Sequence, residues 1–283
     1  MFILLKKTIT WLSVLLLLTA CSTKMSYYFL DWAIEWEVEE YVTLNKPQQK
    51  QFDGMLEKFL IWHRQVELPK YSSQLNELLT QLQQGTLTPS QWVTQVQQAK
   101  AHWFRIFHYL LPDLIPLIAS LSDEQVKGIM KQLRKEEREL SDEYAGKTNA
   151  QLLDESNERL FEQADDWLGS VTQEQKALIE TRNSQRLATL DMWLEYRHEW
   201  LRQFEQALNQ RDNAHLLTMR LTKLMTQPDD LKSASYQQNI DQNAENFGSL
   251  IVELSHTLND KQRKRFNKKL NSLIVDLNEL SLD

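Results

Sequence analysis

The chain has 283 residues, of which 42% are hydrophobic and 10% aromatic, so it can bury a sizeable core and is not a disordered protein. Gly and Pro occur only six times each, which favours helix. The single Cys excludes an internal disulfide and a Cys-based zinc site. A formal net charge of −7, without a basic and aromatic binding pattern, argues against a nucleic-acid partner.

The amino terminus has the order of a bacterial targeting segment. Lys6 and Lys7 form a positive flank, and the apolar stretch 8–18 that follows is too short to span a bilayer comfortably. It ends in four residues that resemble the lipobox of bacterial lipoproteins, namely Leu18, Thr19, Ala20 and Cys21. The alternatives are an ordinary secretory signal with an incidental Cys and a short apolar core helix.

The lipobox resemblance implies a processing route. In bacterial lipoproteins the signal peptide is removed before the Cys, whose sulfur and freed amine then carry acyl chains such as palmitate. The resemblance implies a signal peptide over residues 1–20 and a permanent bilayer anchor at Cys21. Ser22, rather than Asp, implies the periplasmic face of the outer membrane by similarity to enterobacterial sorting rules. The mature chain has 30 basic and 39 acidic side chains, a formal charge of −9.

Residues 21–26 are predicted to form a short tether in front of a single all-helical domain over 27–283. The first helix carries Phe29, Trp32 and Trp36 on one face, at the spacing i, i+3, i+7. We expect these aromatic side chains to pack as core, because Ile34 and Val38 on another face suggest a helix buried nearly all round. The alternative is an interfacial aromatic belt on the membrane.

A recurring pattern marks five helix starts. In each, an Asn, Ser or Thr is followed three residues later by Gln, the pattern of a capping box. The five pairs are Asn45 and Gln48, Thr88 and Gln91, Ser122 and Gln125, Thr172 and Gln175, and Asn259 and Gln262. Pro47 and Pro89 fall at first helical positions, where a missing N–H costs nothing.

Helical periodicity fills the intervals and predicts an all-α fold, an elongated bundle of amphipathic helices. Breaks are expected near Pro69, Pro112 and Pro116. The stretch 172–210 contains no breaker and is predicted to be one long spine helix. At 1.5 Å per residue it would run about 55 Å.

One short motif carries a family resemblance. Trp62-His63-Arg64, followed by Glu67-Leu68-Pro69 and Tyr71, resembles the WHR-x-x-ELP-x-Y signature of an uncharacterised family of proteobacterial lipoproteins. The resemblance implies an all-helical fold and an envelope location, and no activity. A weaker similarity is to small periplasmic helical chaperones and stress sensors with a Leu-Thr-x-x-Gln motif, which Leu87 to Gln91 matches.

The same motif is the sharpest candidate for chemistry. Arg64 and Glu67 are i, i+3 neighbours, and His63 and Glu67 are i, i+4 neighbours, so a His–carboxylate pair beside Arg is available to orient an acid or base or to bind an anion. The structural alternative is a helix end locked by a buried polar network and closed by Pro69. The six His residues show no metal-ligand spacing, so neither a metal nor a cofactor is predicted.

A basic cluster near the carboxyl terminus stands out in an acidic chain. Its members are Lys261, Arg263, Lys264, Arg265, Lys268 and Lys269. Such a cluster is suited to contact with anionic lipid headgroups or peptidoglycan. The alternative is that it faces an acidic neighbouring helix of the same chain.

These observations favour a non-catalytic, lipid-anchored helical protein that binds an envelope partner. A holdase-like chaperone or envelope-stress sensor is the first alternative, on the Leu-Thr-x-x-Gln similarity. An enzyme that uses His63, Arg64 and Glu67 is the second.

Overall fold

The computed structural model describes residues 23–282, which form an all-α fold without strands in that range. The predicted signal peptide, the lipobox and Cys21 lie outside the described residues. None of the helices between residues 23 and 282 has the length and apolarity needed to cross a bilayer. The helices are α1 (Thr23–Tyr28), α2 (Leu30–Glu39), α3 (Lys46–Trp62), α4 (Leu68–Gln84), α5 (Pro89–Ala119), α6 (Asp123–Tyr144), α7 (Asn149–Leu168), α8 (Gln173–Ser184), α9 (Leu190–Asn209), α10 (Ala214–Thr226), α11 (Ala234–Thr257) and α12 (Asp260–Leu280).

All five predicted capping boxes are confirmed. At the start of α3, for example, Asn45 Oδ1 accepts from Gln48 N at 3.1 Å and Gln48 Oε1 accepts from Asn45 N at 3.0 Å. Each bond satisfies a backbone donor at a helix start that has no partner within the helix. A sixth box, Thr148 with Gln151 at the start of α7, was not predicted, because Lys147 stands where the other starts have Leu or Val.

Four of the capping glutamines also bind one another across helices, and we call these the reciprocal glutamine pairs. Gln48 Nε2 donates to Gln125 Oε1 at 3.1 Å and Gln125 Nε2 donates back at 2.7 Å. Gln175 and Gln262 exchange the same two bonds at 3.1 and 2.9 Å. Each amide nitrogen also donates to a carbonyl just before the partner helix, the acceptors being Ser120, Thr43, Thr257 and Ser170. The pairs thereby join the start of α3 to α6 and that of α8 to α12.

The longest helix in the described part of the chain is α5, with 31 residues, and it packs against α3, α4, α10 and α11. It continues through Pro112 and Pro116, so the breaks predicted at these residues were wrong. Each Pro removes a helical hydrogen bond, at about 3 kcal/mol. The apolar burial of this segment offsets that cost, since Leu111, Leu117 and Ile118 are all buried in the core.

The predicted spine helix over 172–210 was also wrong. The chain leaves the helix after Ser184 and re-enters one at Leu190, giving α8 and α9. Three Asn side chains of α11 hold the connecting backbone. Asn243 accepts from Leu187 N at 2.8 Å and donates to Leu187 O at 3.0 Å, while Asn246 donates to Gln185 O and Asn239 to Ala188 O. These bonds replace the hydrogen bonds that a continuous helix would make at residues 185–188. The helix can therefore end there without a local Gly or Pro.

The break predicted at Pro69 becomes a widened turn. Residues His63–Glu67 form one π-helical turn between α3 and α4, closed by Leu68 N–H donating to His63 O. Pro69 has no N–H to donate to Gln65 O, and its ring would clash with that carbonyl in a regular helix. The extra residue of the turn relieves this conflict and keeps the chain helical from Lys46 to Gln84.

The amino-terminal helices differ from expectation in two respects. Helix α1 begins at Thr23, so residues 23–26 of the predicted tether are helical. The aromatic face is not core, since Phe29, Trp32 and Trp36 are 58%, 62% and 51% exposed. Only the opposite face of α2 packs inward, where Ile34 and Val38 contact the core of α3 and α5. Helix α2 therefore has two apolar faces, one that packs against the core and one that is open to solvent.

The reciprocal glutamine pair between α8 and α12 gives a test of the packing. Gln262→Ala should lower the free energy of unfolding by about 2 to 3 kcal/mol, because it leaves buried polar groups of Gln175 and Ser170 without partners. Gln175→Ala should act similarly, and the double variant should fall short of the sum by about 1 kcal/mol. Gln151→Ala, which removes an exposed cap only, should cost about 0.5 kcal/mol. Urea unfolding measures all four, and additive effects would contradict a direct pairing.

Candidate functional site

The signature residues line a buried polar seam between α1, the π turn, α4 and α5. Glu67 stands at its centre and is fully buried. Arg105 of α5 binds its carboxylate with two nitrogens, with Nε 2.9 Å from Oε1 and Nη2 3.0 Å from Oε2. Lys70 donates to Oε1 at 2.7 Å, and His102 Nδ1 lies 3.1 Å from Oε2. The carboxylate is thus enclosed by groups from two helices.

Hydrogen bonds decide the charge of Glu67. Burial alone raises the pKa of its carboxyl, but the charge-assisted bonds from Arg105 and Lys70 outweigh burial and lower the pKa from 4.5 to about 2. Glu67 is therefore an anion throughout the neutral range. It is an acceptor with no proton to give and no lone pair directed at solvent.

His63 faces the other side of the seam. Its Nδ1 lies 2.9 Å from Tyr27 Oη of α1 and its Nε2 lies 3.2 Å from Tyr71 Oη of α4. Burial lowers its pKa from 6.5 to about 4, although Glu67 raises it in part. Burial likewise raises the pKa of both tyrosines. His63 is consequently a neutral ring held between two neutral hydroxyl groups.

His102 links Glu67 to the next polar residues. Gln74 Nε2 donates to Gln95 O at 2.7 Å, which turns Gln74 Oε1 toward His102 Nε2 at 2.7 Å. A neutral His102 therefore carries its proton on Nε2, and Nδ1 accepts from the Arg105 guanidinium. Burial lowers the pKa of His102 more than the Glu67 carboxylate raises it, which favours this neutral form.

The remaining signature residues support the same seam. Trp62 stacks on Tyr109 of α5 with ring centroids 4.2 Å apart. Arg64 is half-buried, and its charge opposes the rise in the pKa of Tyr27. The Arg that binds Glu67 is Arg105 of α5 and not its i, i+3 neighbour Arg64. The expected helix end at Pro69 was wrong, whereas the buried polar network itself is present.

Sequence spacing within the motif could not reveal the partners supplied by α5. A signal did exist, because Gln95, His102, Arg105 and Tyr109 recur at helical spacing along one side of α5. Polar residues on a face that packs inward need partners on the neighbouring helix. Among the described residues, no cluster of three or more His, Cys, Asp or Glu side chains is arranged to hold a metal ion.

The basic cluster lies on the first half of α12, and the structure divides it. Lys269 donates to the Asp166 carboxylate of α7 at 2.6 Å, and Arg265 donates to Asp166 O at 3.3 Å. The alternative prediction, that the cluster faces an acidic neighbouring helix, is thus confirmed for Lys269 and Arg265. Lys261, Lys264 and Lys268 are exposed on the outward side at i, i+3, i+7 spacing, and a surface partner for them stays a prediction.

The buried His63 predicts a pH dependence of stability. Between pH 6.5 and about 4 the unfolded chain takes up a proton at His63 that the folded chain does not. The free energy of unfolding therefore decreases by up to about 3 kcal/mol as the pH is lowered through that window. Urea unfolding from pH 7 to 4.5 should show a flatter profile for His63→Gln. The exposed His215→Gln should follow the wild type. Parallel wild-type and His63→Gln profiles would contradict the assignment.

Comparison with known proteins adds a family and no activity. The model of a family of unknown function, DUF6279, matches residues 40–237. This range contains the whole buried polar seam except Tyr27, and it ends before α12. No curated protein and no solved structure matches the chain.

Proposed function

The chain belongs to DUF6279, a family of unknown function, and we propose that this protein is a lipid-anchored, non-catalytic binding protein of the bacterial cell envelope. Acyl chains on Cys21 would hold it on the periplasmic face of the outer membrane. Its partner would be an envelope protein or peptidoglycan. The exposed cations Lys261, Lys264 and Lys268 are suited to an anionic surface of such a partner.

The exposed aromatic face of α1 and α2 carries this proposal. Phe29, Trp32 and Trp36 are more than half exposed, and they follow the predicted lipidation site by 8 to 15 residues. Large aromatic side chains are rarely left on a surface in a row, and Trp is enriched at membrane interfaces because its ring is amphipathic. Acyl chains on Cys21 would bring a bilayer close to this face along the chain, and the bilayer offers it an apolar surface.

The state of the buried polar seam supports a non-catalytic role. A general acid or base needs a proton that is within reach of a substrate. The Glu67 carboxylate is fully buried and bound by Arg105 and Lys70, and both ring nitrogens of His63 face tyrosine hydroxyls. The seam has the properties of a structural joint, which disfavours the enzyme alternative.

Lipidation is tested at Cys21 itself. In cells that express the full chain and are fed a labelled palmitate, the protein should take up label and appear at the mass of the cleaved form. Cys21→Ser should lose the label and remain uncleaved, since the sulfur is the acyl acceptor. A Cys21→Ser protein that is labelled as strongly as wild type would overturn the anchor.

Membrane contact of the aromatic face has a separate test. The full chain in vesicles of brominated lipid should lose part of its Trp fluorescence to bromine at the interface. Trp32→Phe with Trp36→Phe should remove most of the quenched component. Trp103→Phe, which changes a Trp of α5 that is 43% exposed, should leave that component in place. Equal losses in the two variants would show that the face does not meet the bilayer.

A further inference from the structure

A large apolar cavity lies where α4, α7, α8, α11 and α12 meet beside the start of α5. Its volume is about 620 Å³, within the range of about 300–1,000 Å³ that is usual for small-molecule sites. Most of the wall is aliphatic or aromatic, with Leu75, Trp92, Trp167, Phe247 and Leu254 among the lining residues. None of the signature residues lines this cavity, so it is separate from the buried polar seam.

The wall is fixed by close packing. A Cβ added at Gly248 would lie 3.0 Å from Pro89 O and 3.0 Å from Trp92 Cδ1, so only Gly allows α11 to approach α5 this closely. That approach brings the Trp92 and Phe247 rings to 5.6 Å between centroids, on the wall. At the other end, Gln262 is bound to Gln175 directly beside Arg263, which also lines the cavity.

The charges at the wall select a kind of headgroup. Arg263 is exposed, and one of its nitrogens donates to Leu258 O at 3.3 Å, which leaves further guanidinium donors for a ligand. Asp166, which also lines the cavity, is bound by Lys269, and Glu162 lines the cavity as well. Lys261 and Arg263 stand near the amino-terminal end of α12, where the helix dipole disfavours cations. Arg263 is held by its bond to Leu258 O at the carboxyl-terminal end of α11, where it lines the cavity and has donors left to bind an anion.

We propose that this cavity binds the acyl chain of an anionic amphiphile, a fatty acid or a lysophospholipid, with its carboxylate or phosphate beside Arg263. Burial of a long alkyl chain removes both its own surface and the apolar wall from water, at about 25 cal/mol per Å². The charged end remains at the rim, where it gains a charge-assisted bond to the guanidinium. This inference stands whether or not Cys21 is acylated.

The experiment maps where a photoreactive fatty acid binds. The full chain, kept soluble by an amphiphilic polymer, is irradiated with a long-chain fatty acid that carries a diazirine, and the adducts are located by peptide mass spectrometry. Ala164→Trp fills the cavity, and Ala177→Trp makes the same change at an exposed position of α8. Arg263→Gln removes the headgroup contact, and the methyl ester of the probe serves as its neutral counterpart.

We expect adducts on the cavity-lining segments of α7 and α11, reduced about tenfold by Ala164→Trp and unchanged by Ala177→Trp. Arg263→Gln should raise the concentration of the acid that gives half-maximal labelling about fivefold. The corresponding concentration of the ester should change by less than about twofold. Unlabelled fatty acid or lysophospholipid should compete, and the stronger competitor identifies the source, whereas inorganic phosphate alone should not compete.

Three results would overturn the proposal. The first is adducts confined to the exposed face of Phe29, Trp32 and Trp36. The second is an Arg263→Gln variant that binds acid and ester as wild type does, a result that does not depend on whether Ala164→Trp folds. The third is a dimer in sedimentation that Ala164→Trp dissociates, which would assign the cavity to a second copy of the chain. Acylation at Cys21 is detected in the same mass spectra without irradiation. A failure of the anchoring proposal can therefore be distinguished from a failure of the cavity proposal.

Discussion

The two reciprocal glutamine pairs are the constraint on which the arrangement of the bundle depends. A helix start that is buried must satisfy its free N–H groups, and here one amide side chain serves its own backbone and the neighbouring helix together. Gln175 and Gln262 are 1% and 2% exposed, so neither can exchange its partner for water. Helices α8 and α12 must therefore begin side by side. This fixes the position of α12, which packs along α4 and α7 and carries both the basic cluster and a wall of the apolar cavity.

The seam around Glu67 plays the corresponding part at the start of α4. A carboxylate without partners is very unfavourable in a core, so Glu67 requires Arg105 and Lys70 to be in place. The π turn that Pro69 imposes brings Glu67 against α5 while His63 reaches Tyr27 of α1. Helix α1 is thereby tied to α5 through one residue pair of the signature, His63 and Glu67. The motif that marks the family is in this sense a joint of the fold.

A feature could be predicted from the sequence when the residues that determine it lie close together along the chain. The capping boxes were predictable because Asn45 and Gln48, or Thr88 and Gln91, complete their bonds within four residues. The interruption between α8 and α9 depends on Asn243, 56 residues from Leu187, and no local signal reports it. The partner of Glu67 could not be predicted for the same reason, since Arg105 lies 38 residues away along the chain. The apolar cavity is formed by six helices, and periodicity shows only that each has an apolar face.

The two apolar faces of α2 have a mechanical consequence under the proposed anchoring. Helix α1 begins two residues after Cys21, with Thr23 buried and Lys24 paired to Glu279 of α12. Behind it, Ile34 and Val38 are set into the core of α3 and α5. A load applied at the lipid would therefore pass directly into the bundle instead of being absorbed by slack chain. The body would also have little freedom to roll on the bilayer, so one constant side of it would point toward the periplasm.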